Sequence, residues 1–254
     1  MMMKIILHIL IILSTLIGAV TTVSAAEMSN EEAIEVMKKL ELRLRSDTNE
    51  ARYLMRVVTP DWTREMRLDS WDDRKGKSFF IHILEPKKDK DTTYLKSGTN
   101  LWMYLPKLER DIRIPPSMML SSWMGSDFTN DDLVKSSSVV EDYTHKILSH
   151  ENGVVEVESL PKEDAAVVWG KLIHRVRDDG MPLSEDFYDE HGKMVRRMKF
   201  EDPKKMGGRM IPTRWKIIPE DKPGHYTEMV IERIRFDVSI PPGTFERANL
   251  RKVR

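Results

Sequence analysis

"TTYLKSGTNLWMYLP", residues 92–106, holds two β-prone runs on either side of Ser97-Gly98-Thr99-Asn100. A short break of small polar residues with glycine, set between apolar runs, is a hairpin signal, so both runs read as antiparallel strands. The same grammar recurs outward in both directions. Upstream, Trp62, Met66 and Leu68 share one side of an alternating run, while Thr63, Glu65, Arg67 and Asp69 share the other. "SFFIHIL", residues 78–84, is apolar on both sides and reads as a more deeply buried strand. Downstream, turn signals at Glu151-Asn152-Gly153, Asp178-Asp179-Gly180, Glu190-His191-Gly192, Gly207-Gly208 and Pro223-Gly224 separate candidate strands over 142–148, 154–159, 166–177, 185–189, 193–201, 213–219 and 226–238. An antiparallel meander of this size has to curl or close.

Ahead of the strands lies a helix. Ser29 and Glu32 have the spacing of a capping box. Ala33, Met37, Leu40 and Leu44 then recur at helical spacing, and Arg43 and Arg45 fall in the last turn, where cations suit the helix dipole. No long linker or low-complexity tract divides the chain. The expectation is α+β, with residues 27–254 as a single domain.

One segment breaks the meander. Pro115-Pro116 stops the strand before it, since proline cannot continue a ladder. In "MMLSSWMGSDFTNDDL", residues 118–133, Ser117 is placed to cap a short helix bearing Met119, Leu120, Trp123 and Met124, which Gly125 ends. Thr129 and Asp132 form a second capping box, with Phe128 and Leu133 at hydrophobic-staple positions. Two readings follow for this insertion, at about 117–137: a plug on the open side of the sheet, or a movable lid over an apolar cavity. Spacing and composition favour the plug. The methionines, which adapt to ligands of variable shape, keep the lid reading open.

Near its start the chain carries Lys4, an apolar run over 5–20, and the small residues Val23-Ser24-Ala25-Ala26. This is the pattern of a secretory signal peptide over residues 1–25, cleaved after Ala25 or Ala26. A soluble periplasmic protein is expected. With no cysteine it relies on no disulfide, and its 41 basic and 41 acidic side chains argue against a nucleic-acid partner. The seven histidines are not paired at metal-ligand spacing, and the acidic group in "EDFYDEHG", residues 185–192, reads as a solvated hairpin turn. There is no nucleophile elbow, phosphate loop or dinucleotide fingerprint. No cofactor and no enzymatic activity are expected.

"SGTNLWMYLPKLERDIRI", residues 97–114, resembles the segment of LolA-like periplasmic proteins in which a glycine turn leads into Leu-Trp-x-Tyr-x-Pro. "SSWMGSDFTNDDL" is similar to the pattern of the outer-membrane lipoprotein-sorting branch of that superfamily, and "FYDEHGKMVRRMKF", "IPTRWKI" and "FDVSIPPGTFERANL" extend the likeness over most of the chain. The resemblance implies a strongly curved, unclosed antiparallel β half-barrel, with the N-terminal helix and a short helical lid over its concave apolar face. It turns the balance from plug to lid. The implied lipid-binding cavity takes Trp62, Met66, Leu68, Phe79, Ile81, Ile83, Trp102 and Tyr104; the implied lid takes Met118, Met119, Leu120, Trp123, Met124, Phe128 and Leu133. Lipoprotein carriers hold their lid shut with an arginine. Arg74 is the nearest positional match, although the family's adjoining Arg-Pro is absent.

The function so implied is non-covalent carriage of lipids or lipidated proteins between the inner and outer membrane. The partners would be the acyl chains of the cargo, an inner-membrane transporter of the resistance-nodulation-division or ABC type, and an outer-membrane acceptor. Two rivals are a lipoprotein-sensing regulator of envelope stress on the same fold, and a hydrolase with a dispersed site.

Overall fold

The computed structural model describes residues 25–98, 100–135, 139–165 and 167–252. The expected signal peptide, apart from Ala25, lies outside the described residues, as do Thr99 of the hairpin turn and Ser136 to Ser138 of the insertion.

Helix α1 (Ala25–Leu44) begins upstream of the expected capping box, so Ser29 lies inside the helix rather than at its cap. Its apolar face is the expected one. Ala33 and Met37 are buried against Val155 and Val157, with Leu40 and Ile147 beside them. Arg209 donates from Nη1 to the carbonyls of Leu42 (3.1 Å) and Arg45 (2.9 Å), satisfying acceptors that the helix end leaves open.

Six strands follow in meander order: β1 (Thr48–Val58), β2 (Thr63–Asp73), β3 (Ser78–Glu85), β4 (Thr93–Ser97), β5 (Asn100–Leu105) and β6 (Arg110–Ile114). A second meander comprises β7 (Tyr143–Glu151), β8 (Val154–Pro161), β9 (Lys171–Arg177), β10 (Pro182–Tyr188), β11 (Met194–Met206), β12 (Arg209–Pro219) and β13 (Tyr226–Phe236). The two join through β1 and β13, which pair antiparallel with Met55 opposite Met229. The result is one 13-stranded antiparallel sheet of order β6-β5-β4-β3-β2-β1-β13-β12-β11-β10-β9-β8-β7. Its edges, β6 and β7, are consecutive in the chain yet unpaired, so the half-barrel stays open between them. Of the chain between those edges, the described residues 115–135 and 139–142 lie on the concave side and include the short helices α2 (Asn130–Lys135) and α3 (Val139–Asp142).

Alternation decides what each face carries. On the concave side, Met66 and Leu68 of β2, Phe79, Ile81 and Ile83 of β3, and Leu101 of β5 join one core cluster with Trp123 and Phe128 from the crossing segment. The convex side of the same strands is covered by the C-terminal segment. There Phe80 and Leu95 pack with Leu250, and Trp71, Trp102, Tyr104 and Phe245 lie around them. This double cover explains why "SFFIHIL" is apolar on both sides. Elsewhere the outer face is charged, as in the Arg52–Asp69 pair, whose two hydrogen bonds are both 2.7 Å. Among the described residues, no helix is long and apolar enough to cross a membrane.

Candidate functional site

Between the concave face, α1 and the crossing segment lies a cavity of about 370 Å³. Its wall is mainly apolar. Met37 and Leu40 come from α1, Leu68, Phe79 and Ile81 from β2 and β3, Trp123, Phe128 and Leu133 from the crossing segment, and Met198 and Trp215 from the second meander. The volume is that of an ordinary small-molecule site.

The crossing segment departs from the expected pair of helices. Only a single 3-10 turn, Pro116–Met118, forms where the first helix was expected. Residues 119–129 instead fold as a closed loop. Trp123 N–H donates to the Phe128 carbonyl at 2.7 Å, and Ser122 and Thr129 form an antiparallel bridge. This closure turns Trp123 inward, where it is 2% exposed and its ring stands edge-on to Tyr94 at 5.7 Å. The second expected helix is present as α2, and its capping box forms. Thr129 N–H donates to Asp132 Oδ2 at 2.7 Å, and Asp132 N–H donates to Thr129 Oγ1 at 3.2 Å.

Several polar tethers dock this loop onto the sheet, among them the Tyr94 hydroxyl, which donates to Met124 Sδ at 2.9 Å. Arg196 of β11, almost fully buried, donates from Nη1 to Asp132 Oδ2 at 2.8 Å and to the Asp127 carbonyl at 3.0 Å. Its guanidinium also lies over the rings of Phe187 (4.3 Å) and Trp169 (4.6 Å), which hold its plane in place. Thr227 of β13 donates to Asp127 Oδ2 at 2.7 Å and accepts from Asp127 N–H at 2.9 Å. Arg64 of β2 donates to the Met124 carbonyl. Gly125 is required beside it, because its φ is +69° and a Cβ there would sit 3.2 Å from Arg64 Nη2.

The expected site residues divide into three groups. Leu68, Phe79 and Ile81 line the cavity together with Trp123, Phe128 and Leu133. Met66 and Ile83, fully buried, join the same core cluster, against which Met119 and Met124 pack, but they lie outside the cavity wall. The others are elsewhere. Trp102 and Tyr104 belong to the convex cluster, where Arg247 covers the Trp102 ring at 3.9 Å. Trp62 precedes β2 in a turn and is 49% exposed, and Met118 and Leu120 face outward from the crossing segment. Arg74 does not touch that segment; it pairs with Glu41 of α1 at 3.0 Å. Arg196, one of the residues that tie the segment to the sheet, carries no local signature in the sequence.

Besides Glu41, Asp131, Asp132 and Asp142, two groups of polar residues interrupt the apolar wall. On β9 and β10, His174 Nδ1 lies 3.7 Å from Glu185 Oε1. Burial lowers the His174 pKa to about 3 and raises that of Glu185 to about 7, the latter opposed by the nearby Arg196 cation. The expected solvated turn holds only for part of "EDFYDEHG": Glu190 and His191 are exposed at the β10–β11 turn, whereas Glu185 faces the cavity. The second polar group, at the end of α1, comprises Arg45, Asn49, Tyr53, Ser70 and Asp72. Burial pushes the Tyr53 hydroxyl up to about 12.

A family model described as "-like: Uncharacterized protein" matches residues 75–252, more than half of the chain. No curated protein matches in sequence. Among solved structures, a DUF1329 family protein from Desulfovibrio piger is similar with a TM-score of 0.78 and 21% identity, over 87% of this chain and 99% of that one. A putative outer membrane lipoprotein-sorting protein domain from Vibrio parahaemolyticus has a TM-score of 0.74 and 24% identity, over 87% and 99%. A LolA superfamily protein from Nitrosomonas europaea has a TM-score of 0.69 and 20% identity, over 88% and 98%. The chain therefore belongs to the family whose model spans residues 75–252, and its open half-barrel is the LolA-like fold.

Proposed function

We propose that the protein is a periplasmic carrier that holds acyl chains of a lipid or a lipidated protein between its concave sheet and residues 115–142, which act as a lid. The observation that carries this reading is the apolar cavity of about 370 Å³ beneath a loop docked by a few polar tethers. Each methylene moved out of water contributes about 0.8 kcal/mol, so a sixteen-carbon chain is worth on the order of 10 kcal/mol. Such a chain does not cross an aqueous compartment unescorted, and a closed apolar cavity supplies the escort without covalent chemistry. Release then needs a partner that stabilises the open lid. The description of the Vibrio relative as a putative lipoprotein-sorting domain accords with this role. Arg196 takes the lid-holding part that the resemblance assigns to an arginine, in place of Arg74.

Cargo would be received from an inner-membrane transporter of the resistance-nodulation-division or ABC type and delivered to an outer-membrane acceptor. The test is titration of delipidated protein with a fluorescent long-chain acyl probe. Saturable binding of about one or two chains per molecule, displaced by lipid extracted from the native protein, is expected for a site of this volume. Absence of saturable binding would leave the crossing segment a plug.

A further inference from the structure

The cavity is not apolar at the end beneath the last turn of α1. Arg45, Asp72 and Phe79 line both the main cavity and a small recess that continues from it. The recess adds Arg74, Lys77 and Lys96 to the wall together with Asp73, so four cations stand there with the two carboxylates Asp72 and Asp73. Arg74 is engaged with Glu41. Arg45 is placed differently: among the described residues, no side chain or carbonyl accepts a hydrogen bond from its guanidinium. Asp72 and, less strongly, Glu41 attract it through space, and Asn49 Nδ2 donates to the Asp72 carboxylate at 3.3 Å.

Helix capping does not account for this arginine. A cation after a helix C-terminus ordinarily serves the open carbonyls, but Arg209 already occupies those of Leu42 and Arg45. Arg45 is half-buried at the cavity wall, and a guanidinium partly withdrawn from water gains from acceptors that satisfy its donors. Burial accordingly depresses the Arg45 pKa, with Asp72 opposing the shift. Its planar fork matches two oxygens of one anion. We propose that this end of the cavity is an anion subsite, and that the cargo is an acidic amphiphile whose carboxylate or phosphate pairs with Arg45 while its chain fills the apolar remainder. The inference rests on the carrier reading and adds to it the chemical class of the cargo.

The experiment compares hexadecanoic acid, hexadecanol and a single-chain acylglycerol phosphate as ligands of the delipidated full chain at about pH 8, where the carboxylic acid is ionised. The better of the two anions should bind about tenfold more tightly than the alcohol, as expected for one charge-assisted hydrogen-bonded pair. Which anion leads separates a carboxylate from a phosphate source. Arg45→Gln should bring the ratio of anion to hexadecanol affinity close to one, whatever it does to hexadecanol binding itself, and Arg45→Lys should keep most of the preference. Equal binding of acid and alcohol by the unsubstituted protein overturns the subsite, as does a preference that survives in Arg45→Gln. The ligand comparison on the unsubstituted chain decides the matter even where a variant does not fold. Failure to bind any of the three ligands is a different result, and defeats the carrier reading itself.

Discussion

Arg196 of β11 and Asp132 of α2, far apart in sequence, meet at 2.8 Å, and the same Asp132 carboxylate closes the capping box of α2. One side chain therefore fixes where a helix of the crossing segment starts and where that segment is tied to β11. The Arg196 side chain is only 4% exposed and that of Asp132 16%, so the pair is sheltered from screening. Removing one partner leaves a buried charge uncompensated, which is costlier than the pair is favourable.

Asp132→Asn keeps the size of the residue but removes the charge facing Arg196. In the carrier reading its main effect is local, because the cation regains solvent when the lid opens. Proteolytic cleavage within residues 115–142 should accelerate, and bound acyl probe should leave faster. Thr227→Val, which removes the hydroxyl bonded to the Asp127 carboxylate and N–H, should act in the same direction at about 2 kcal/mol, below the charged partner. Stopped-flow release and limited proteolysis on both variants give the ranking; a larger effect at Thr227 would remove Arg196 from the lid-holding role.

Glu185 and His174 make stability depend on pH in opposite senses. The folded-state pKa of Glu185 is raised from 4.5 to about 7, so the native state binds its proton more readily than the unfolded chain. Its contribution is fully present below 4.5 and is lost as pH rises toward 7. That of His174 is lowered from 6.5 to about 3, so its contribution is present above 6.5 and is lost as pH falls. Between these limits the two slopes oppose each other. Glu185→Gln should therefore raise stability most at alkaline pH, by up to about 3 kcal/mol. The same variant should lose more stability than the unsubstituted protein on acidification from about pH 7 to 5. Thermal melts across that range check it; parallel pH profiles would mean that Glu185 is not held in the protonated form.

The local features were legible because their causes are local. The Thr129 and Asp132 pair announces α2 by its spacing, and the 97–100 break announces the β4–β5 hairpin. Alternation also separates the two faces of β5, but it does not say which face is concave. Trp102 and Tyr104 were expected in the cavity for that reason. They pack instead under a C-terminal segment whose docking depends on Leu250, a residue remote in the chain. Arg196 stayed hidden for a similar reason: its partner Asp132 lies 64 residues earlier, in the segment that joins β6 to β7. The first short helix failed because Trp123 and Phe128 find each other across the Gly125 turn, and that contact competes with helical hydrogen bonding.

Export is tested separately from cargo. The charged start, apolar run and small residues before Glu27 predict a mature N-terminus at Ala26 or Glu27, with recovery in the soluble periplasmic fraction. Intact mass and fractionation check this. Retention of residues 1–25, or recovery only in membranes, would count decisively against it.

Trp123 separates a lid from a plug. Its ring is buried among Phe79, Ile81 and Tyr94 while lining the cavity, so a static view accords with both readings. Trp123→Asp places a carboxylate at that position. In a lid, the loop can swing outward and let water reach the new charge, so the cost falls on closure and on cargo, which cannot be held against an ionised group. Acyl affinity should drop by more than about tenfold with only a modest fall in melting temperature. In a permanent core the loop has nowhere to go, and the substitution should cost several kcal/mol of global stability, as large aromatic losses do. Trp123→Ala supplies the control, removing the same contacts without adding a charge. If both variants lose stability equally and the folded fraction binds the acyl probe with unchanged affinity, Trp123 fills a fixed core and residues 115–142 do not open for cargo.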